Sequence, residues 1–368
     1  MAVQVMTEEE VLREYRRKLR EKIPYEPGNY PYVTARVKAK KASLYPEDTY
    51  ARLLQMEIPQ IARFLGEGPY KEEILALGAR LRGVDLVERA TADNLAKTFT
   101  HLIEMSEGGL REMVAGYLDR WDVANIKTIL RGKLYGASVA DVEEDLVPAG
   151  SLDATFLAKL VEADSVDAVF KALGGTIYAE ARAGMAENFD PATGMADYED
   201  ALAHVYYHRL LASIPPRTEP SRLFHEFVRR EIDILNLKTL LRVWRSKATF
   251  QRPVFLEGGL DLGPDELAAM TMLDLNALLA RLGAASFGAD IGPALREIEG
   301  RGVAYVERIL EKLHLKEASR YSHLHPLSAL PVLDFIARKT REVENIRIVA
   351  RGKEHGITTV AIRELLVI

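Results

Sequence analysis

One ten-residue line is written three times along this chain of 368 residues. It reads D-V-A-N-I-K-T-I-L-R from Asp122 to Arg131, D-I-L-N-L-K-T-L-L-R from Asp233 to Arg242, and E-V-E-N-I-R-I-V-A-R from Glu342 to Arg351. Successive motif asparagines, Asn125, Asn236 and Asn345, stand 111 and 109 residues apart. That period is the size of a small domain and far exceeds the unit of an ordinary solenoid. Other landmarks keep the beat. Ser43-Leu44, Ser151-Leu152 and Gly259-Leu260 recur at 108 residues, and Leu65-Gly66, Leu173-Gly174 and Leu282-Gly283 at 108 and 109. Four residues after each of these last glycines comes an aromatic: Tyr70, Tyr178 and Phe287. Gly136, Val142, Glu144, Leu146 and Val147 also line up with Gly356, Ile362, Glu364, Leu366 and Val367. Ordered landmarks of this kind predict three tandem copies, at 42–149, 150–257 and 258–368, with residues 1–41 outside the repeat. A catalytic site is usually needed once, so three equivalent units suggest a ring, a collar or a scaffold.

Composition narrows the class. A net charge of −5 argues against nucleic acid as the main partner, because a phosphate-binding footprint should be basic. The absence of cysteine excludes disulfides, zinc thiolate sites and thiol catalysis, and points to the cytosol. The N-terminal line M-A-V-Q-V-M-T-E-E-E lacks the basic and apolar regions of a signal peptide. No stretch approaches the ~18 apolar residues needed to span a membrane.

Leu, Ala, Glu, Arg and Lys recur with apolar positions three and four apart, so nearly every segment reads as helix. Thr7 to Glu10 has the form of a capping box before an exposed, basic-ended helix, and Pro24, Pro27, Gly28 and Pro31 then break the pattern. In the second copy the reading gives helices at 153–162, 165–173, 175–188, 194–213 and 219–247, with P-A-T-G at 191–194 and I-P-P-R at 214–217 as breaks. The last of these would run about 40 Å. On its helical wheel Ile234, Leu237, Leu240 and Leu241 form one apolar stripe. Asp233 lies inside that stripe and Asn236 at its edge, while Lys238 and Arg242 lie on the far side. The same wheel holds around Asp122, Asn125 and Arg131, and around Glu342, Asn345 and Arg351.

A carboxylate on a core-facing stripe is costly unless it is paired or hydrogen-bonded, so each motif acid needs a partner that the sequence does not identify. The favoured reading is that these acids and amides tie one helix to its neighbours. A sharper one has them line a shared axial cavity and meet a partner chain. A third, helix N-capping, is weakest because the helical pattern runs through Asp233 without a break.

No catalytic constellation emerges. L-R-G-K-L-Y-G at 130–136 lacks the spacing and hydroxyl of a phosphate loop, and there is no G-x-G-x-x-G or H-E-x-x-H. Asp200, His204 and His208 could present metal ligands on one helical face, but they occur in one copy only. His323 and His325 read as loop residues. Arg36, Lys38, Lys40 and Lys41 form a basic cluster, read first as a solvated helix face and second as a contact with an acidic partner surface. The residues therefore imply no catalytic, cofactor-binding or metal site.

N-Y-P-Y-V-T-A-R-V-K-A-K-K-A-S-L-Y near 29–45, F-L-G-E-G-P-Y at 64–70 and the three D/E-x-x-N-[IL]-[KR] lines together resemble the C subunit of archaeal-type (A-type) ATP synthases, which is related to the d subunit of V-ATPases. The resemblance covers about residues 29–368. It implies an all-α fold of three tandem pseudo-symmetric helical repeats forming a funnel or collar. It also implies a non-catalytic central-stalk component on the cytoplasmic face of the membrane rotor ring. Such a component would receive the central shaft and couple proton- or sodium-driven rotation to ATP synthesis. The expected partners are the shaft subunit and the rotor ring, without nucleic acid and without a membrane span. Arg36, Lys38, Lys40 and Lys41 become candidates for a ring or shaft contact. The competing class is a stand-alone helical scaffold or adaptor; an enzyme built on Asp200, His204 and His208 ranks third.

Overall fold

The computed structural model describes residues 28–186, 188–247 and 254–368. Among them there are helices and no strands. Eight longer helices carry the architecture: α1 (Tyr30–Lys41), α2 (Gly83–Glu104), α3 (Gly108–Leu118), α4 (Arg120–Tyr135), α5 (Pro191–Ser213), α6 (Glu219–Ser246), α7 (Val303–Leu324) and α8 (Leu330–Glu354). Shorter helices fill the intervals. The three motif lines fall on α4, α6 and α8.

Local sequence explains where α6 starts. The Thr218 and Ser221 side chains and backbones cap one another, and Pro220 occupies the first turn, where a missing N–H costs nothing. Its predicted span of 219–247 agrees with the observed Glu219–Ser246. Other expectations need correction. P-A-T-G at 191–194 is the first turn of α5 and not a break, because Asp190 caps it by accepting from the Ala192 N–H at 3.0 Å. The helix expected over 175–188 is a short 3-10 turn, Leu173–Gly175, followed by Ala179–Ala183. Pro31 opens α1 from within its first turn. His323 lies in the last turn of α7, with its Nδ1 2.6 Å from the Ser319 carbonyl, and His325 follows that helix. The capping box at Thr7 and Glu10, with Pro24 and Pro27, lies outside the described residues.

The motif helices each pack against a long helix from the next stretch of chain: α4 on α5, α6 on α7, and α8 on α2 near the chain's beginning. α8 also packs on α1, α6 and α7. Two apolar cores result. The larger joins residues from Tyr30 to Ile232 and Leu256 with those from Ala318 to Leu366, so early and late described segments share one interior. The smaller, from Ile234 to Leu313, includes Leu237, Leu240, Leu241 and Trp244 of α6. No helix among the described residues is long and apolar enough to cross a membrane.

Candidate functional site

The three motif asparagines make the same pair of hydrogen bonds. Asn125 Nδ2 donates to the Val147 carbonyl at 2.8 Å while its Oδ1 accepts from the Val147 N–H at 2.9 Å. Asn236 does the same to Leu256, at 2.9 and 2.7 Å, and Asn345 to Val367, at 2.8 and 3.1 Å. All three amides are buried. Each holds a stretch of backbone about twenty residues downstream, where no sheet or helix would satisfy those polar groups.

The acids of the first two motifs reach farther downstream, to the start of the next segment. Asp122 accepts from the Ser151 and Leu152 N–H groups at 3.0 and 3.1 Å and from the Tyr178 hydroxyl at 3.1 Å. Asp233 accepts from the N–H groups of Leu260, Asp261 and Leu262 at 3.0, 2.9 and 3.3 Å. The approach is so close that a Cβ at Gly150 would stand 2.1 Å from Asp122 Oδ1, and one at Gly259 2.4 Å from Asp233 Oδ1. Glu342, on the last motif helix, reaches back to the beginning of the chain. It accepts from the Tyr45 N–H at 2.6 Å, the Tyr70 hydroxyl at 2.6 Å and Lys339 Nζ at 2.9 Å. Tyr70 and Tyr178 thus serve corresponding acids. Phe287, at the third aromatic position, has no hydroxyl, and Asp233 takes three backbone donors instead.

Burial, reinforced by the neighbouring Asp119, pushes Asp122 up to about 7 against the pull of its hydrogen bonds. Burial also raises Asp233, against its three backbone donors. The motif arginines repeat a third contact. Arg131 clasps Glu199, Arg242 clasps Glu307 and Arg351 clasps Glu88, each through two nitrogens.

A further buried cluster escaped the sequence reading. Glu231 receives Arg120 at 2.8 Å, the Tyr117 hydroxyl at 2.7 Å and the Tyr207 hydroxyl at 2.6 Å, with His314 at 3.8 Å. Burial alone would raise this carboxyl, but Arg120, His314 and the two hydroxyls hold it down at about 2. A signal was present: R-W-D at 120–122 aligns with E-I-D at 231–233, so the charge two places before the motif acid reverses sign. Lys238 also departs from expectation. The wheel places it on an exposed face, yet it is half-buried and bonds Glu311 at 2.7 Å, which in turn holds Arg341 at 3.0 Å. That chain of charges links α6, α7 and α8.

The remaining candidates separate. Arg36 and Lys38 are exposed on α1, whereas Lys41 is engaged with the fully buried Asp334 at 2.5 Å. Asp200 and His208 are exposed and His204 is half-buried; no group of three His, Cys, Asp or Glu among the described residues is placed to hold a metal.

Among the described residues the protein is all-helical, and its repeated polar side chains fasten helix to backbone. Residues 33–365 match the family model described as ATP synthase (C/AC39) subunit. The A-type ATP synthase C subunit of Methanococcoides burtonii is 38% identical over 361 residues, covering 97% of this chain and 99% of that protein. The corresponding A-type ATP synthase C subunits of Methanosarcina acetivorans and Halorubrum lacusprofundi are each 37% identical, covering 93% of this chain and 93% and 98% of their own lengths. The chain belongs to the ATP synthase (C/AC39) subunit family. It is a non-catalytic subunit of an A-type or V-type ATP synthase, and not a stand-alone adaptor.

Proposed function

We propose that this protein is the central-stalk coupling of its synthase: a collar of three pseudo-symmetric units, 42–149, 150–257 and 258–368, that joins the central shaft to the membrane rotor ring from the cytoplasmic face. The observation that carries this reading is the return contact of Glu342 on Tyr45 and Tyr70. Asp122 fastens the first unit to the second and Asp233 the second to the third. Glu342 fastens the third to the first. Contacts that run in one direction and meet their own beginning are those of a closed cyclic arrangement. The three Arg–Glu clasps and the packing of α4 on α5, α6 on α7 and α8 on α2 follow the same order. Motif acids and amides then act structurally, and torque passes through a body whose units are locked to one another.

Two surfaces are offered to partners. A cavity of about 570 Å³ between α4 and α8 is lined by Trp121, Asn125, Thr128, Arg347 and Arg351, a mixed polar and apolar surface suited to a shaft contact. Arg36 and Lys38 on α1 remain open for a ring contact; Lys41 is not free for one. Removing this protein from a reconstituted synthase tests the reading. Hydrolysis by the isolated head should survive and ion-driven synthesis should vanish. Persistence of ion-driven synthesis would overturn the central-stalk role.

A further inference from the structure

Away from the motif contacts, a cavity of about 540 Å³ opens where α1, α2, α8 and the short helix Lys71–Leu77 meet. Four ammonium groups line it, from Lys40, Lys71, Lys97 and Lys339, against two carboxylates, Glu72 and Glu73. Lys97 bonds Glu72 and stands 3.7 Å from Glu73, whose other oxygen accepts from Asn94 at 3.1 Å. Lys339 is committed to Glu342 at 2.9 Å. After these pairings, Lys40 and Lys71 have no acidic partner among the described residues. Both still line the cavity, together with the Thr98 hydroxyl and the His101 ring.

Structure alone does not call for this concentration. Where the first segment has Lys71 after its aromatic, the corresponding positions are Ala179 and Gly288. Lys40 is half-buried, and burial, with Arg36 nearby, lowers its ammonium's pKa. Lys71 opens the short helix at the exposed edge of the same cavity. A ligand with several anionic oxygens would offer both ammonium groups the acceptor that neither has.

We propose that this cavity binds a phosphate-bearing polyanion, held by Lys40 and Lys71 with Thr98 and His101 beside it. Lysine binds phosphate as a point charge, without the fixed fork of arginine, which suits ammonium groups arriving from separate helices. The cavity abuts Lys339, and through it Glu342, so the ligand would sit at the junction of the chain's first and last segments. The phosphate could be that of a soluble molecule or of a lipid headgroup.

Calorimetric titration of the full chain with tripolyphosphate tests the soluble source, and co-sedimentation with phosphatidic acid vesicles, against neutral phosphatidylcholine vesicles, tests the lipid source. Saturable binding in either arm supports the site, provided that Lys40→Gln with Lys71→Gln weakens it at least about tenfold, about 1.4 kcal/mol. Neither lysine holds another element in place, so the double variant should keep its helical circular dichroism and melting temperature. Lys312→Gln, an exposed lysine of α7 outside the cavity, should bind as the parent does. No saturable binding to either probe, undiminished binding by the double variant, or equal weakening by Lys312→Gln would each overturn the proposal.

Discussion

Asn125, Asn236 and Asn345 each occupy both polar groups of one distant residue with a single amide, and this explains why the position is the same residue three times. Asparagine supplies a donor and an acceptor on one short stem; aspartate offers no donor and leucine neither. Asn236→Leu should therefore cost about 2–4 kcal/mol, because the Leu256 N–H and carbonyl are left buried without partners. Chemical denaturation measures this, and a loss below about 1 kcal/mol would mean that water replaces the clamp. The acids make a separate prediction, in pH. The Asp122 carboxyl stands at about 7 in the fold, above its ordinary value of about 3.9. It binds its proton more tightly folded than unfolded, so its contribution is fully present below about pH 4 and is lost as pH rises through about 7. Asp119, also raised by burial against its Ser151 bonds, adds to the same trend. Stability should fall across that window in the parent and fall less in Asp122→Asn, where Asp119, Asp233 and the other raised carboxyls still titrate. Identical slopes would show that Asp122 is ionised throughout.

Along α6 the two faces of one helix answer to different neighbours. Asp233→Leu strips the acceptor from three N–H groups and should cost about 2–4 kcal/mol. Lys238→Ala removes one half-buried pair and leaves Glu311 with Arg341, so it should cost about 0.5–1.5 kcal/mol. Thermal denaturation of both variants decides the order, and equal losses would contradict it. The stripe of Ile234, Leu237, Leu240 and Leu241, the burial of Asp233 and the limits of the helix were all readable from periodicity and caps. Lys238 was misread because a helical wheel knows only its own helix; what covers the far side, here Glu311 of α7, comes from another segment. Glu231 was missed for the same reason, since its partners Arg120 and His314 lie on two other helices. Asp190 was overlooked as a cap because the Pro and Gly after it read as a break, although the first helical turn tolerates proline.

The whole molecule is held by contacts between residues very far apart in sequence: Glu342 with Tyr45, 297 positions away, and Arg351 with Glu88, 263 away. No pattern along the chain announces such a return; the repeat spacing identified corresponding residues but not which segment each would grasp. If the return contact is a separable seam, loosening it should open that seam and no other. Lys339→Met with Glu342→Leu removes both charges of a buried pair, a replacement that need not destabilise the fold as a whole. It nevertheless leaves the Tyr45 N–H and Tyr70 hydroxyl without their acceptor. Hydrogen exchange should then accelerate at Tyr45 and through the helix Glu47–Leu53, because local opening follows the loss of local contacts. The Ser151 and Leu152 amides, held by Asp122 at the junction of the first and second segments, should stay protected. Acceleration at Ser151 and Leu152 equal to that at Tyr45 would mean a general loosening; none at Tyr45 would mean that the packing of α8 on α2 and the Arg351–Glu88 clasp hold the seam without Glu342.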